Sequence, residues 1–337
     1  MARSGKPTAA VFFKPRDSYR IANADAYLTY WLPAEGKDEI RAEVLDAAGH
    51  TIRTLHGESK AGFNRIAWDL RFDPLETIQL RTIPPENPHI WDDTRFKGKK
   101  WRPITHWGMP THQPGPIVPP GVYQVKITLG GQSFTQPLTL LPDPKAPGTP
   151  AQLAQTYDLQ LRIRDDVGKI SNMVNLIERQ RRQLEDMKAD GTPLAKPVAA
   201  MNNRLQDVEY EMFQKSLAAS DDKYYVSAFK IYYNLLWLNG EVGTGAGDVA
   251  GGADFGPTQI APRLVDDLEK QLTVATGHYR TLMDQDVSAF NEMLAAKGKE
   301  PLITAATHEQ EEEDAGDDDD DFADADSDAA DDPAEAD

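Results

Sequence analysis

Gly62-Phe63-Asn64-Arg65-Ile66-Ala67-Trp68-Asp69-Leu70 decides how the first half of the chain folds. A turn feeds a run in which Ile66, Trp68 and Leu70 face one way and Arg65 and Asp69 the other, the period of two of a half-buried β-strand. About fifty residues on, Pro119-Pro120-Gly121-Val122-Tyr123-Gln124-Val125-Lys126-Ile127 repeats the device. There Tyr123, Val125, Ile127 and Leu129 alternate with Gln124, Lys126 and Thr128. One face buried and one wet predicts an antiparallel sandwich.

Working outward, residues 14–141 read as β. Ala26, Leu28, Tyr30 and Leu32 alternate, as do Ile40, Ala42 and Val44, and Asp46-Ala47-Ala48-Gly49 turns the chain toward Ile52 and Leu55. Gly130-Gly131 closes a hairpin onto Phe134, Leu138 and Leu140, with Pro137 tolerable only at an edge or bulge. Residues 71–120 form an insertion rich in proline and aromatics, longer than ordinary hairpin loops. Leu141 to Pro150 holds four prolines, which continue neither strand nor helix, so residues 142–150 read as a linker.

Beyond it the period changes. Ile163, Val167, Ile170, Val174, Ile177 and Leu184 keep a heptad seam broken only by Arg181. That helix starts at Thr149-Pro150 and ends near Asp190-Gly191. A second begins around Pro197 (Val198, Met201, Leu205, Val208, Met212). A third spans about 223–240 and is apolar over a wide arc that includes Tyr225, Phe229, Tyr232 and Leu236. After a Gly-rich connection, Gly240 to Gly256, a fourth runs from about Pro257 to Ala296 with Leu264, Leu268, Leu272, Ala275, Tyr279, Leu282, Phe290 and Leu294. Residues 151–298 therefore predict an antiparallel four-helix bundle.

The formal net charge is -18, with 54 acidic and 36 basic residues. Glu309 to Asp337 holds 17 of those acids and no Lys or Arg, so the remainder is nearly neutral (37 acids against 36 bases). Its one large apolar residue is Phe322, too little to offset ordering entropy, and residues 299–337 read as a disordered, solubilising acidic tail. There is no cysteine, which removes disulfides, thiolate nucleophiles and Cys-ligated zinc. The apolar run Ala9 to Phe13 is too short for the core of a signal peptide or for a membrane span, so no export signal is expected.

Lys14-Pro15-Arg16-Asp17-Ser18-Tyr19-Arg20, Tyr30-Trp31-Leu32-Pro33, Val44-Leu45-Asp46-Ala47-Ala48-Gly49, Trp68-Asp69-Leu70-Arg71, Pro119-Pro120-Gly121-Val122-Tyr123, Leu140-Leu141-Pro142-Asp143-Pro144 and Leu161-Arg162-Ile163-Arg164-Asp165 occur in a telling order. They resemble the C-terminal region of large bacterial secreted β-propeller proteins with neuraminidase (Asp-box) repeats, often labelled sortilin-like or glycosyl hydrolase. The two strand signatures resemble the immunoglobulin-like domain of flagellar hook-capping (FlgD-like) type. The likeness covers roughly residues 13–300 and implies an Ig-like sandwich and bundle following a propeller in an extracytoplasmic parent. No Ser-x-Asp-x-Gly-x-x-Trp box occurs, so no catalytic residue carries over, and the resemblance implies a C-terminal fragment or the product of a split gene.

Candidate chemistry is sparse. His89, Asp92, Asp93, His106 and His112 lie in the insertion, at spacings matching no metal motif. Trp91, Trp101 and Trp107 suit either a carbohydrate platform or a cover for the sandwich edge. The run Gly243 to Gly252 lacks the Lys-Ser/Thr of a phosphate loop, and His278 has Ala275, not Glu, three positions before it, which excludes a di-metal bundle motif. Glu178-Arg179-Gln180-Arg181-Arg182 is too short and too mixed for nucleic acid. The expectation is a protein without catalytic, cofactor-binding or metal residues, a structural and interaction module docking a β-propeller domain or protein. Trp91, Phe96, Trp101, His106 and Trp107, with the strand Ala26 to Leu32, form its interaction surface. The alternative is part of a sialidase-like glycoside hydrolase or carbohydrate-binding protein whose active site lies in a propeller outside this chain.

Overall fold

The structure, a computed structural model, describes residues 8–21, 24–37, 39–106, 109–110, 114–219, 228–243 and 255–305. The disordered tail expected over 299–337 fails at its start, where Leu302 is buried and its N–H is accepted by Asn291 at 2.7 Å. The rest of that tail from 306, Trp107 and His112, most of the Gly240 to Gly256 connection and the start of the third helix, including Tyr225, lie outside the described residues.

In chain order the strands are β1 (Val11–Phe12), β2 (Ser18–Arg20), β3 (Ala26–Leu32), β4 (Ile40–Leu45), β5 (Thr51–Gly57), β6 (Gly62–Trp68), β7 (Gln79–Leu80), β8 (Arg102–Pro103), β9 (Thr105–His106), β10 (Met109–Pro110), β11 (Gly121–Leu129) and β12 (Gln132–Pro142). The helices are α1 (Pro150–Asp186), α2 (Ala195–Met212), α3 (Lys215–Ala218), α4 (Ile231–Gly243), α5 (Ala261–Thr281) and α6 (Ser288–Ala296), with a π-helical turn, Leu282–Val287, joining the last two. The chain is thus a mixture of strands in sheets and helices. Two compact units draw on it: the first on Met1–Leu75, Gln113–Arg164 and Trp237–Leu264, the second on Glu76–His112, Asp165–Leu236 and Val265–Asp337.

In the first unit β1-β3-β6 form an antiparallel sheet, and β2-β12-β11-β4-β5 form a second. The second is mixed rather than purely antiparallel, because β2 runs parallel to β12 (Leu140 opposite Ser18). One core takes Leu28, Tyr30, Ile66 and Trp68 from one sheet and Val44, Val125, Ile127 and Leu138 from the other. These are the inward positions of the period-two runs. Gly130 and Gly131 both have positive φ (56° and 79°), as a two-residue hairpin turn requires. Pro137 pairs with Gln124 of β11, while β2 reaches only Leu140–Pro142, so its missing N–H faces no neighbouring strand. Leu70 departs from its predicted place on the strand: β6 ends at Trp68 and Leu70 turns with φ 61°.

The linker reading of 142–150 does not mark the division between units, which falls inside α1, α4 and α5. The first turns of α1 belong with the sheets because Tyr157 packs against the sheet core and Gln160 donates to the Asn239 carbonyl at 3.3 Å. Thr149 caps that helix, its hydroxyl accepting the Gln152 N–H at 3.3 Å while Gln152 Oε1 accepts the Thr149 N–H at 2.9 Å.

The second unit contains the insertion, tied to α1 by a polar stripe. Ser171 donates to the Glu76 carbonyl (2.9 Å), Asn175 accepts the Gln79 N–H (2.7 Å) and donates to the Thr77 carbonyl (3.1 Å), and Glu185 accepts the Ile83 N–H (3.1 Å). Positions 171, 175, 178 and 185 share one helix face. That face holds one side of the segment 76–83, whose residues Gln79 and Leu80 pair as β7 with β8 (Gln79 opposite Pro103).

Candidate functional site

The structure separates the residues expected to form an interaction surface. Phe96 (1 % exposed) and Trp101 (2 %) are buried, which removes them from any docking face. Trp91 is half-buried, His106 sits in β9, and Trp107 lies outside the described residues. The reason is the α1 stripe: once segment 76–83 is held on the helix, the insertion's aromatics become part of a core. His89 is exposed and pairs with Asp92 (3.2 Å), while Asp93 is held below its usual range by its hydrogen bonds to Arg95. Among the described residues no group of three or more His, Asp or Glu could hold a metal ion.

The strongly perturbed groups are elsewhere. Arg181, the residue that breaks the heptad, is buried, and its Nη1 donates to Glu178 (2.8 Å) and to Glu209 of α2 (2.5 Å). Glu178 also accepts the backbone N–H groups of Arg81 and Thr82. Burial pushes Glu178 up, but Arg181 and these N–H groups outweigh it and hold the carboxyl below its ordinary value. Burial and the neighbouring Glu178 charge drive Glu209 well above its own, against the pull of Arg181. Both carboxyls are fully enclosed, so this is an internal ion-pair network rather than a place where substrate is met. Arg102, stacked near Trp91 and donating to the Ala218 carbonyl, is lowered by burial to about 10.

Accessible chemistry lies on the outer face of β1-β3-β6. Alternation turns Ala26, Leu28 and Tyr30 inward, leaving Tyr27 and Thr29 outward on β3; on β6 it leaves Phe63 and Arg65 outward. Phe13, held to β3 by its N–H to the Thr29 carbonyl (3.1 Å), stacks on Phe63 with centroids 5.8 Å apart. The Arg65 guanidinium lies 4.8 Å over the Tyr27 ring. Phe63 is 72 % exposed and Tyr27 50 %, a cluster of large apolar groups in water. A groove of about 470 Å³ runs along it, lined by Phe13, Lys14, Arg16, Tyr27, Thr29 and Arg65 among others. Asp25 is its one acidic lining residue. Such a face can bind by stacking and by charge; it offers no nucleophile paired with a base.

The β3 half of the expected surface therefore lies beside this groove. Phe63 and Arg65 were legible as outward positions of the opening strand, but Phe13, immediately before Lys14, gave no periodic signal. Comparison of the chain with protein-family models, with curated proteins and with solved structures returns no match. None of the described helices is long and apolar enough to cross a membrane.

Proposed function

We propose that the chain is a non-catalytic structural and interaction module, the C-terminal accessory part of a propeller-type protein. Its β layer is read as an Ig-like sandwich of FlgD type and its helices as an antiparallel bundle. The split first strand supports the sandwich reading: β1 pairs within one sheet, while β2 crosses to the other and runs parallel to the last strand. The observation that carries the functional reading is the exposed aromatic and cationic face of Phe13, Phe63, Tyr27 and Arg65. Free proteins seldom leave such a group in water unless something covers it. The perturbed residues Glu178, Arg181 and Glu209 are consumed by internal hydrogen bonds, which gives their shifts a structural cause.

Glycosidase, esterase and phosphatase assays on the purified chain test this, together with co-purification against a co-expressed propeller protein. The expected result is no turnover and a stable complex weakened by Phe63→Ala. Turnover that persists through purification would overturn it. A carbohydrate-binding reading draws support from the groove, where Tyr27 stands with Ser18, Asp25 and Thr29. Saturable binding of a neutral oligosaccharide, lost in Tyr27→Ala, would favour that reading instead.

A further inference from the structure

β6, seven residues long, ends its sheet, and the main-chain groups that its alternate residues turn outward have no strand hydrogen-bonded to them among the described residues. The other sheet edges differ. β1 and β2 are only two and three residues long. β5 matches β6 in length, but the Ile52 carbonyl accepts the Asp73 N–H at 3.0 Å and Arg53 reaches the Phe72 carbonyl at 3.2 Å, so the following chain covers it.

Long edges are usually blunted by proline, bulges or lysines, since unpaired N–H and C=O groups template further pairing. β6 contains no proline, and its register with β3 runs unbroken from Gly62 opposite Leu32 to Trp68 opposite Ala26. Its outward side chains are Phe63, Arg65 and Ala67, one charge between two apolar groups.

We propose that β6 accepts an extended strand from an acidic partner protein, which seats an apolar side chain against Phe63 and a carboxylate against Arg65. This rests on the reading of the chain as an interaction module. Strand addition draws affinity from main-chain hydrogen bonds and specificity from alternate side chains, and here both elements lie along one edge. The charge of the partner follows from β6 itself, whose one charged outward side chain is Arg65. Antiparallel pairing of two copies about the middle of β6 would set Arg65 against Arg65, which disfavours pairing of β6 with itself.

The test is a display selection of randomised 12-residue peptides on the full chain, followed by titration of one synthetic selected peptide. Enriched sequences should alternate apolar residues with Asp or Glu. The bound peptide should shift the amide resonances of Phe63 to Ala67, and N-methylation of alternate peptide nitrogens should abolish binding. Phe63→Ala and Arg65→Glu, both exposed and checked for unchanged far-UV circular dichroism, should each weaken binding at least tenfold. Failure to enrich any peptide, binding unaffected by either substitution, or a chain dimer dispersed by Phe63→Ala would overturn the proposal. Failure of the module reading shows separately: turnover in the enzyme assays sinks that reading whatever β6 binds, and silent assays with no selected peptide sink strand addition alone.

Discussion

Glu178 closes on Thr82 twice, its Oε2 accepting the Thr82 N–H at 2.9 Å and its Oε1 the Thr82 hydroxyl at 2.8 Å. The two residues lie 96 positions apart, so one carboxylate on α1 holds the chain just beyond β7, where its pairing with β8 has ended.

Glu178→Ala should cost about 3 to 5 kcal/mol, because it leaves Arg181 partly uncompensated and two backbone N–H groups without their acceptor. Urea unfolding measures it. Limited proteolysis of the variant should open first within 76–83, and a loss under about 1 kcal/mol would show that the stripe contributes little.

Glu178 and Glu209 are pushed in opposite directions, Glu178, against its burial, down by Arg181 and two backbone N–H groups and Glu209 up by burial and the Glu178 charge. Since the Glu209 value is raised, its contribution to stability is full below the ordinary 4.5 and is lost as pH rises through the folded value. Glu178 is lowered, so its contribution is present above 4.5 and lost as pH falls. Glu209→Gln should therefore gain on the wild type as pH rises above the ordinary 4.5. Glu178→Gln should be most damaging near neutrality and less so near pH 3. Unfolding midpoints measured from acid to neutral pH decide the matter, and parallel wild-type and Glu209→Gln curves would refute the upward shift of Glu209.

Trp68 is fully buried, its indole N–H donates to the Arg71 carbonyl at 2.9 Å, and its ring meets Tyr123 edge-on at 5.8 Å. Trp68→Ala should cost about 3 to 5 kcal/mol by leaving a cavity between the sheets. A wild-type melting curve for the variant would contradict the core placement.

Gly115 sits against main chain, and a Cβ there would collide with the carbonyl oxygens of Phe72 and Asp73. Backbone cannot swing aside as a side chain can, so Gly115→Ala should destabilise by about 1 to 3 kcal/mol. Thermal denaturation measures it, with Gly168→Ala, whose Cβ meets nothing within 4 Å, as the harmless control.

The inward positions of β3, β6 and β11 were legible because each strand has one wet and one dry face, and that contrast prints itself on the sequence. The α1 seam was legible for the same reason, from Ile163 through Leu184. Arg181 was read as a break because a charge on an apolar seam looks like an interruption until its partners are known, and Glu209 is 28 residues away. On α2 the seam pointed to Val208, whereas the structure buries Glu209 to meet Arg181. On the fourth helix Leu264 is 44 % exposed and Val265 is buried, a one-position slip within a single apolar pair. The π-helical turn left a trace that went unread: buried positions step by five from Leu282 to Val287, then resume three and four at Phe290 and Leu294. The insertion was misplaced because its hydrogen-bond partners are side chains about 95 residues onward, beyond any local pattern. The edge groove was half legible, since alternation shows that Phe63 and Arg65 face outward but not that Phe13 stacks there.

Because each unit is stitched from three separate stretches, synthesis itself imposes an order. The sheets have all emerged once β12 is made, yet the stretch from Trp237 to Leu264 that completes their unit is still to come. At about 5 to 20 residues per second that wait lasts on the order of 10 s, during which segment 76–83 has no Glu178 or Glu185 to receive it until α1 follows. A nascent chain halted before residue 264 would leave the ribosome with neither unit finished.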